Sequence, residues 1–168
     1  MSYQEKRNIV SMITGALVLA AYCIYAFGKY QSGAVVPGDI KFWAVTMLIF
    51  IGIGVGASIV IQIIFHILLS IGVAVRKKLQ DENYDDKEIE KSIQVEMVED
   101  EMGKLIELKS LQVGFFVAGI GFIGSLVALV MGYSAAVMLN ITFISFSLAM
   151  LVEGFAQLYF YRRGIRHA

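Results

Sequence analysis

Residues 42–75 read FWAVTMLIFIGIGVGASIVIQIIFHILLSIGVAV, thirty-four positions without one formally charged side chain, and the run stops at Arg76-Lys77-Lys78. A helix of that length is about 50 Å long, against a bilayer hydrocarbon core of about 30 Å. One tilted membrane span fits inside it. Within the run Ser58, Gln62, His66 and Ser70 recur every four residues, which stacks them along one side of a helix. Hydrocarbon satisfies no hydrogen bond, so this side is expected to face protein or a cavity. Gly52, Gly54 and Gly56 lie nearer the start and would let a second helix approach closely, with Gly52 and Gly56 as the packing positions.

Working outward, the charge pattern repeats this signal. No Asp, Glu, Lys or Arg occurs in Asn8–Gly28 or in Ser110–Val152. A soluble helix carries polar residues on one face at each turn, and these stretches do not. The 168 residues are 58% hydrophobic, above the roughly 45–50% of soluble domains. Lys29–Lys41 holds Gly33, Pro37-Gly38 and Asp39, which is turn chemistry, and Gly132-Tyr133-Ser134 divides the long run after Ser110. There glycine ends one helix and Ser134 caps the next. The expected architecture is all-α: a single four-helix membrane bundle with spans near 9–28, 42–75, 111–131 and 135–161. Trp43, Tyr25 and Tyr30 fall where an interfacial aromatic belt is expected.

Lys and Arg set the expected orientation. The head, residues 76–110 and the tail carry two, seven and three of them; the two opposite connections carry two and none. The positive-inside rule places both termini and residues 76–110 in the cytoplasm. In that segment Asp81-Glu82-Asn83-Tyr84 is read as a break after the second helix. Asp85 and Glu88 have capping-box spacing for a cytoplasmic amphipathic helix, along which Ile89, Ile93 and Met97 share a side. Residues 85–105 are the expected contact for a second copy or a membrane-protein partner.

The lead-in Glu99-Asp100-Glu101-Met102-Gly103-Lys104-Leu105-Ile106-Glu107-Leu108-Lys109, running straight into a span, resembles that of a group of small, uncharacterised bacterial four-span proteins. Where that group commonly has Arg-Asp, this chain has Met102-Gly103. The resemblance implies a bacterial inner (plasma) membrane protein and carries no activity or catalytic residue with it.

Glu153 is the only acid inside an expected span. It precedes Arg162 by nine residues, or roughly 13 Å of helix, and His66 precedes Arg76 by ten, or roughly 15 Å. The two are expected at similar depth, with Gln62, Ser70 and Gln157 within a turn of that layer. Two roles suit such a layer: a proton- or ion-responsive site, or interhelical hydrogen bonding alone. Gly114, Ala118, Gly121 and Ser125 recur at four- and three-residue spacing, a packing seam for the third helix, with Gly114 and Gly121 as its closest-approach positions.

No nucleophile–base pair, phosphate loop or His/Cys set stands out, so no enzyme, cofactor or metal is expected. The single Cys23 excludes an internal disulfide, and the basic residues sit at membrane borders rather than on a face for nucleic acid. The leading expectation is a non-enzymatic interaction or regulatory protein of the membrane, oligomeric or a partner's subunit. The alternative is a small transporter or channel using the Glu153–His66 layer.

Overall fold

The computed structural model describes residues 3–33, 38–80 and 101–164. They form four helices: α1 (Tyr3–Gln31), α2 (Ile40–Gln80), α3 (Glu101–Val130) and α4 (Ala135–Arg163). Each is long and apolar enough to cross a membrane. All four run past the span limits read from the sequence, because the polar flanks are helical too. The head residues Lys6 and Arg7 lie inside α1, and Arg76–Gln80 complete α2. At its far side residues 101–110 open α3 without interruption, through Gly103, which is buried. The amphipathic helix expected over 85–105 lies outside the described residues up to position 100.

Local chemistry explains the ends. Asp39 caps α2, its Oδ1 accepting from the Phe42 N–H at 3.0 Å. Gly132 closes α3 with φ +91°, as its N–H donates to Leu129 O and the Tyr133 N–H reaches back to Ala128 O at 3.2 Å. That is the paired bonding of a Schellman stop, and it needs the left-handed conformation glycine adopts freely. Ser134 then caps α4 by accepting from the Val137 N–H. Both roles match the reading of Gly132-Tyr133-Ser134 above.

The α3–α4 pair is the most extensive contact among the described helices. Gly103, Ser110, Gly114, Ala118 and Ser125 are buried along α3, which is the small-residue seam read from the sequence. A Cβ on Gly114 would sit 2.9 Å from Glu153 Cβ and 3.2 Å from Ala149 O, and one on Gly121 would collide with Ser145. Farther along, Thr142 Oγ1 lies 3.0 Å from Ser125 Oγ. Helices without a hydrophobic drive between them associate through such close contact, and only small side chains permit it.

The fourth helix is the hub. α3, α1 and α2 all pack on it, and α1 also packs on α2. α1 runs antiparallel to both α2 and α4, since Tyr3 meets His66 while Tyr22 meets Phe50, and Asn8 meets Gly154 while Tyr22 meets Asn140, so α2 and α4 run parallel to each other. The start of α1, the ends of α2 and α4, and the start of α3 therefore share one end, the basic end. The 32–39 connection and the 131–134 turn share the other, the loop end.

At the loop end an aromatic cluster packs between α1, α2 and α4, beside an apolar groove of about 610 Å³. Tyr22 is fully buried, stacked 4.3 Å from Phe143 and edge-on to Phe50 at 5.3 Å, and its hydroxyl donates to Asn140 Oδ1 at 2.6 Å. Trp43 joins it with Met47 and Ala136. This corrects the aromatic-belt reading of Trp43: its phase on α2 matches Met47 and Phe50, one and two turns on, so it faces inward. Tyr30 and Tyr25 are exposed. Beyond Phe50, α2 stands largely clear of the bundle. A Cβ on Gly52 or Gly56 would meet nothing within 4 Å, so among the described residues no helix packs closely on either. Gly54, between them, is the one that faces α1, 3.6 Å from Val18 Cγ1. The two expected glycines lie on the opposite phase of α2 from that contact.

Replacing Gly121 by alanine is expected to lower the thermal stability of the purified protein by about 1–3 kcal/mol, because the clash is with a Cβ next to the backbone and not a flexible tip. Gly52→Ala should leave stability unchanged or raise it by up to about 1 kcal/mol, the helix propensity gain. Equal effects at the two positions would contradict the seam.

Candidate functional site

Near the basic end the four helices do not close on one another. They leave a polar cleft of about 170 Å³, lined by Gln4, Arg7, Asn8 and Ser11 from α1, Gln62 from α2, Glu107 from α3, and Glu153, Gly154 and Gln157 from α4. Met12, Gly15, Met150 and Leu151 form its apolar inner wall, toward the loop end.

Each polar wall follows from helix periodicity. Gln4, Arg7, Asn8, Ser11 and Gly15 fall at three- and four-residue steps and so share one side of α1. Asn8 is locked in place: it is nine-tenths buried, and its Nδ2 donates to Gly154 O at 2.8 Å. Gly154 is what permits this approach, since a Cβ there would run into Met12 Cγ and come within 3.2 Å of Asn8 Oδ1. On the far wall Glu153 is set by Gly114, whose missing side chain leaves room for the carboxylate; Oε2 would lie 3.0 Å from a Cβ at that position. Glu107, two turns before Gly114 on α3, projects into the same space. The cleft thus carries two carboxylates, one guanidinium and four side-chain amides.

Other polar groups in the apolar helices are satisfied locally. Thr14 donates to Val10 O at 2.9 Å, Ser110 to Ile106 O at 2.8 Å, and Ser147 to Phe143 O at 2.9 Å. Hydroxyls that bond their own helix one turn back are tolerated in an apolar setting and carry no further demand.

The expected polar layer divides. Glu153, Gln62 and Gln157 come together in the cleft. His66 does not reach it, and its pairing with Glu153 is replaced by another partner. The imidazole lies edge-on to Tyr3, ring centroids 5.4 Å apart, with the Tyr3 hydroxyl 2.5 Å from Nε2. Phe65 packs on the same tyrosine ring at 5.7 Å. Ser70 donates to His66 O at 2.8 Å and takes no part in the cleft either. Depth along the helix was a sound guide, since Gln62 is one turn from His66; rotation was not. Gln4, Arg7 and Glu107 escaped the sequence reading because they stand outside the charge-free runs, and Asn8 because it is only the first residue of one. The repeat of polar side chains at positions 4, 7, 8 and 11 was the available signal.

Among the described residues no group of three or more His, Cys, Asp or Glu is placed to hold a metal ion. The cleft presents carboxylate, guanidinium, amide and hydroxyl groups, an arrangement suited to binding and to hydrogen-bond exchange. Comparison with known proteins gives no matching family model, no matching curated protein and no matching solved structure.

A pair of double-mutant cycles separates the observed contact from the expected one. Tyr3→Phe with His66→Gln should show a coupling of about 0.5–1.5 kcal/mol, while His66→Gln with Glu153→Gln should be additive within about 0.5 kcal/mol. The reverse pattern would place His66 on the cleft.

Proposed function

We propose that this chain is a multi-pass protein of a bacterial inner membrane, with both ends and residues 76–110 in the cytoplasm, and that it acts as a non-enzymatic interaction or regulatory subunit. In this reading the basic-end cleft is the input site and the bundle is no conduit. The observation that carries it is the asymmetry of the interior. Among the described residues the cleft that gathers acids, amides and an arginine lies at the basic end, while the groove of about 610 Å³ beside Tyr22, Trp43 and Ala136 at the loop end is lined almost wholly by apolar side chains. A pathway through a membrane needs polar or wet lining along its whole length. The long exposed apolar sides of α2 are compatible with lipid and with a neighbouring membrane helix. The membrane assignment is supported by four helices of spanning length and by the excess of Lys and Arg at one end. The bacterial assignment rests on the lead-in resemblance at residues 99–109.

One observation favours the second reading, a small ion- or proton-coupled transporter: the cleft does reach Glu153. Proteoliposomes decide between the two. The subunit reading expects no proton, sodium or potassium flux above protein-free vesicles. It also expects a native-membrane particle larger than one 18.6 kDa chain. Flux that Glu153→Gln abolishes, from a particle of single-chain mass, would overturn it.

Topology is checked separately. Reporter fusions after Lys78 and after Ala168 should both report cytoplasm, and a periplasmic signal from either would contradict the orientation.

A further inference from the structure

We propose that the basic-end cleft binds a primary ammonium group, carried either by a compact free amine or by the headgroup of an ethanolamine phospholipid. The inference deepens the regulatory reading by naming what its input site takes.

Charge comes first. Glu107 and Glu153 face the cleft from α3 and α4, and Arg7 is the one cation that faces it from α1. One guanidinium offsets one carboxylate and leaves the other to be matched. Glu107 is exposed at the rim, but Glu153 is half-buried between apolar helices, where an unmatched carboxylate costs more than in water, so the site favours a positive guest.

The remaining lining selects the kind of cation. Asn8 has its Nδ2 committed to Gly154 O at 2.8 Å, which leaves Oδ1 as an acceptor, and Gln62 and Gln157 offer further amide oxygens. A primary ammonium has three donors on one compact charge, suited to two carboxylates and an amide on different helices. A hard metal ion instead asks for about six or more oxygens drawn tightly together, and the described residues gather no such carboxylate set. Quaternary ammonium groups are held by aromatic faces, and among the described residues no aromatic side chain lines this cleft.

Size limits the guest. At about 170 Å³ the cleft is smaller than the roughly 300–1,000 Å³ of drug-sized pockets, and comparable with the roughly 150 Å³ cavity that accepts benzene. A body of about six heavy atoms fits. Ethanolamine is of that order. Esterified to a phospholipid it brings a phosphate one linker away, and Arg7 is the group to pair with it.

The experiment follows thermal unfolding of the full chain in phosphatidylcholine nanodiscs, with ethanolamine hydrochloride added at constant ionic strength. Choline chloride is the control, and a second set of discs replaces half the phosphatidylcholine with phosphatidylethanolamine. Ethanolamine should raise the unfolding midpoint saturably, and choline should not. Glu153→Gln and Glu107→Gln should each weaken the effect at least about tenfold, the loss of a charge-assisted hydrogen bond. A rise produced only by phosphatidylethanolamine discs, and lost in the same variants, assigns the guest as a lipid headgroup. No rise from either source overturns the proposal, as does a rise that choline matches or that both variants leave intact. Should Glu153→Gln fail to fold, Glu107→Gln decides, because Glu107 is exposed and outside the close seam. Amine flux in proteoliposomes would refute the non-conduit reading and leave this site standing; absent binding with absent flux would do the opposite.

Discussion

The close approach of α3 to α4 is the constraint on which the rest of the molecule depends. Gly114 and Gly121 bring the two backbones to a separation that any side chain at Gly121 would break. Lipid supplies no hydrophobic reason for two apolar helices to stay together, so packing at this distance is what holds them. The same contact aims the site. Glu153 has the space above Gly114 to occupy, and its carboxylate leaves α4 toward Glu107 and α1 instead of toward lipid.

From α4 the structure divides into two ends with different chemistry. At the loop end Tyr22 stacks on Phe143 and its hydroxyl donates to Asn140, whose own amide N–H goes to Ala136 O, so both polar groups are spent inside the cluster. At the basic end Asn8 grips Gly154 O, yet the helices around it part, and acids, amides and Arg7 face each other across the gap. Asn8 and Asn140 play parallel roles as fixed hydrogen-bond anchors between α1 and α4. They differ in what surrounds them: a polar cleft at one end, an aromatic cluster beside an apolar groove at the other.

Much of this was legible in the sequence, for definite reasons. Charge-free runs report membrane-length helices because each buried charge is costly, and Gly132 and Ser134 report the α3–α4 turn through conformational and capping chemistry. The small-residue seam on α3 was visible because spacing alone encodes it. Helix rotation was not visible. A helix that is apolar on every side carries almost no directional signal, so nothing in residues 42–75 said that Gly54 and not Gly52 faces α1. Nothing there said that His66 meets Tyr3 while Gln62 lines the cleft with Glu153. Trp43 was misplaced for the same reason: its position along the chain suited an interface, but its phase turned it toward Tyr22. Depth can be counted from a sequence; azimuth is decided by partners.

The central claim is that the cleft opens at the basic end alone. Ser11 is an exposed residue on its wall, and Cys23 is the single cysteine of the chain. In a Cys23→Ser background, Ser11→Cys can be challenged with a membrane-impermeant maleimide from either side of a sealed vesicle. The account predicts modification from the face that carries the basic helix ends and protection from the opposite face. Modification from the opposite face would mean a continuous aqueous path past Tyr22 and Trp43, and would contradict it.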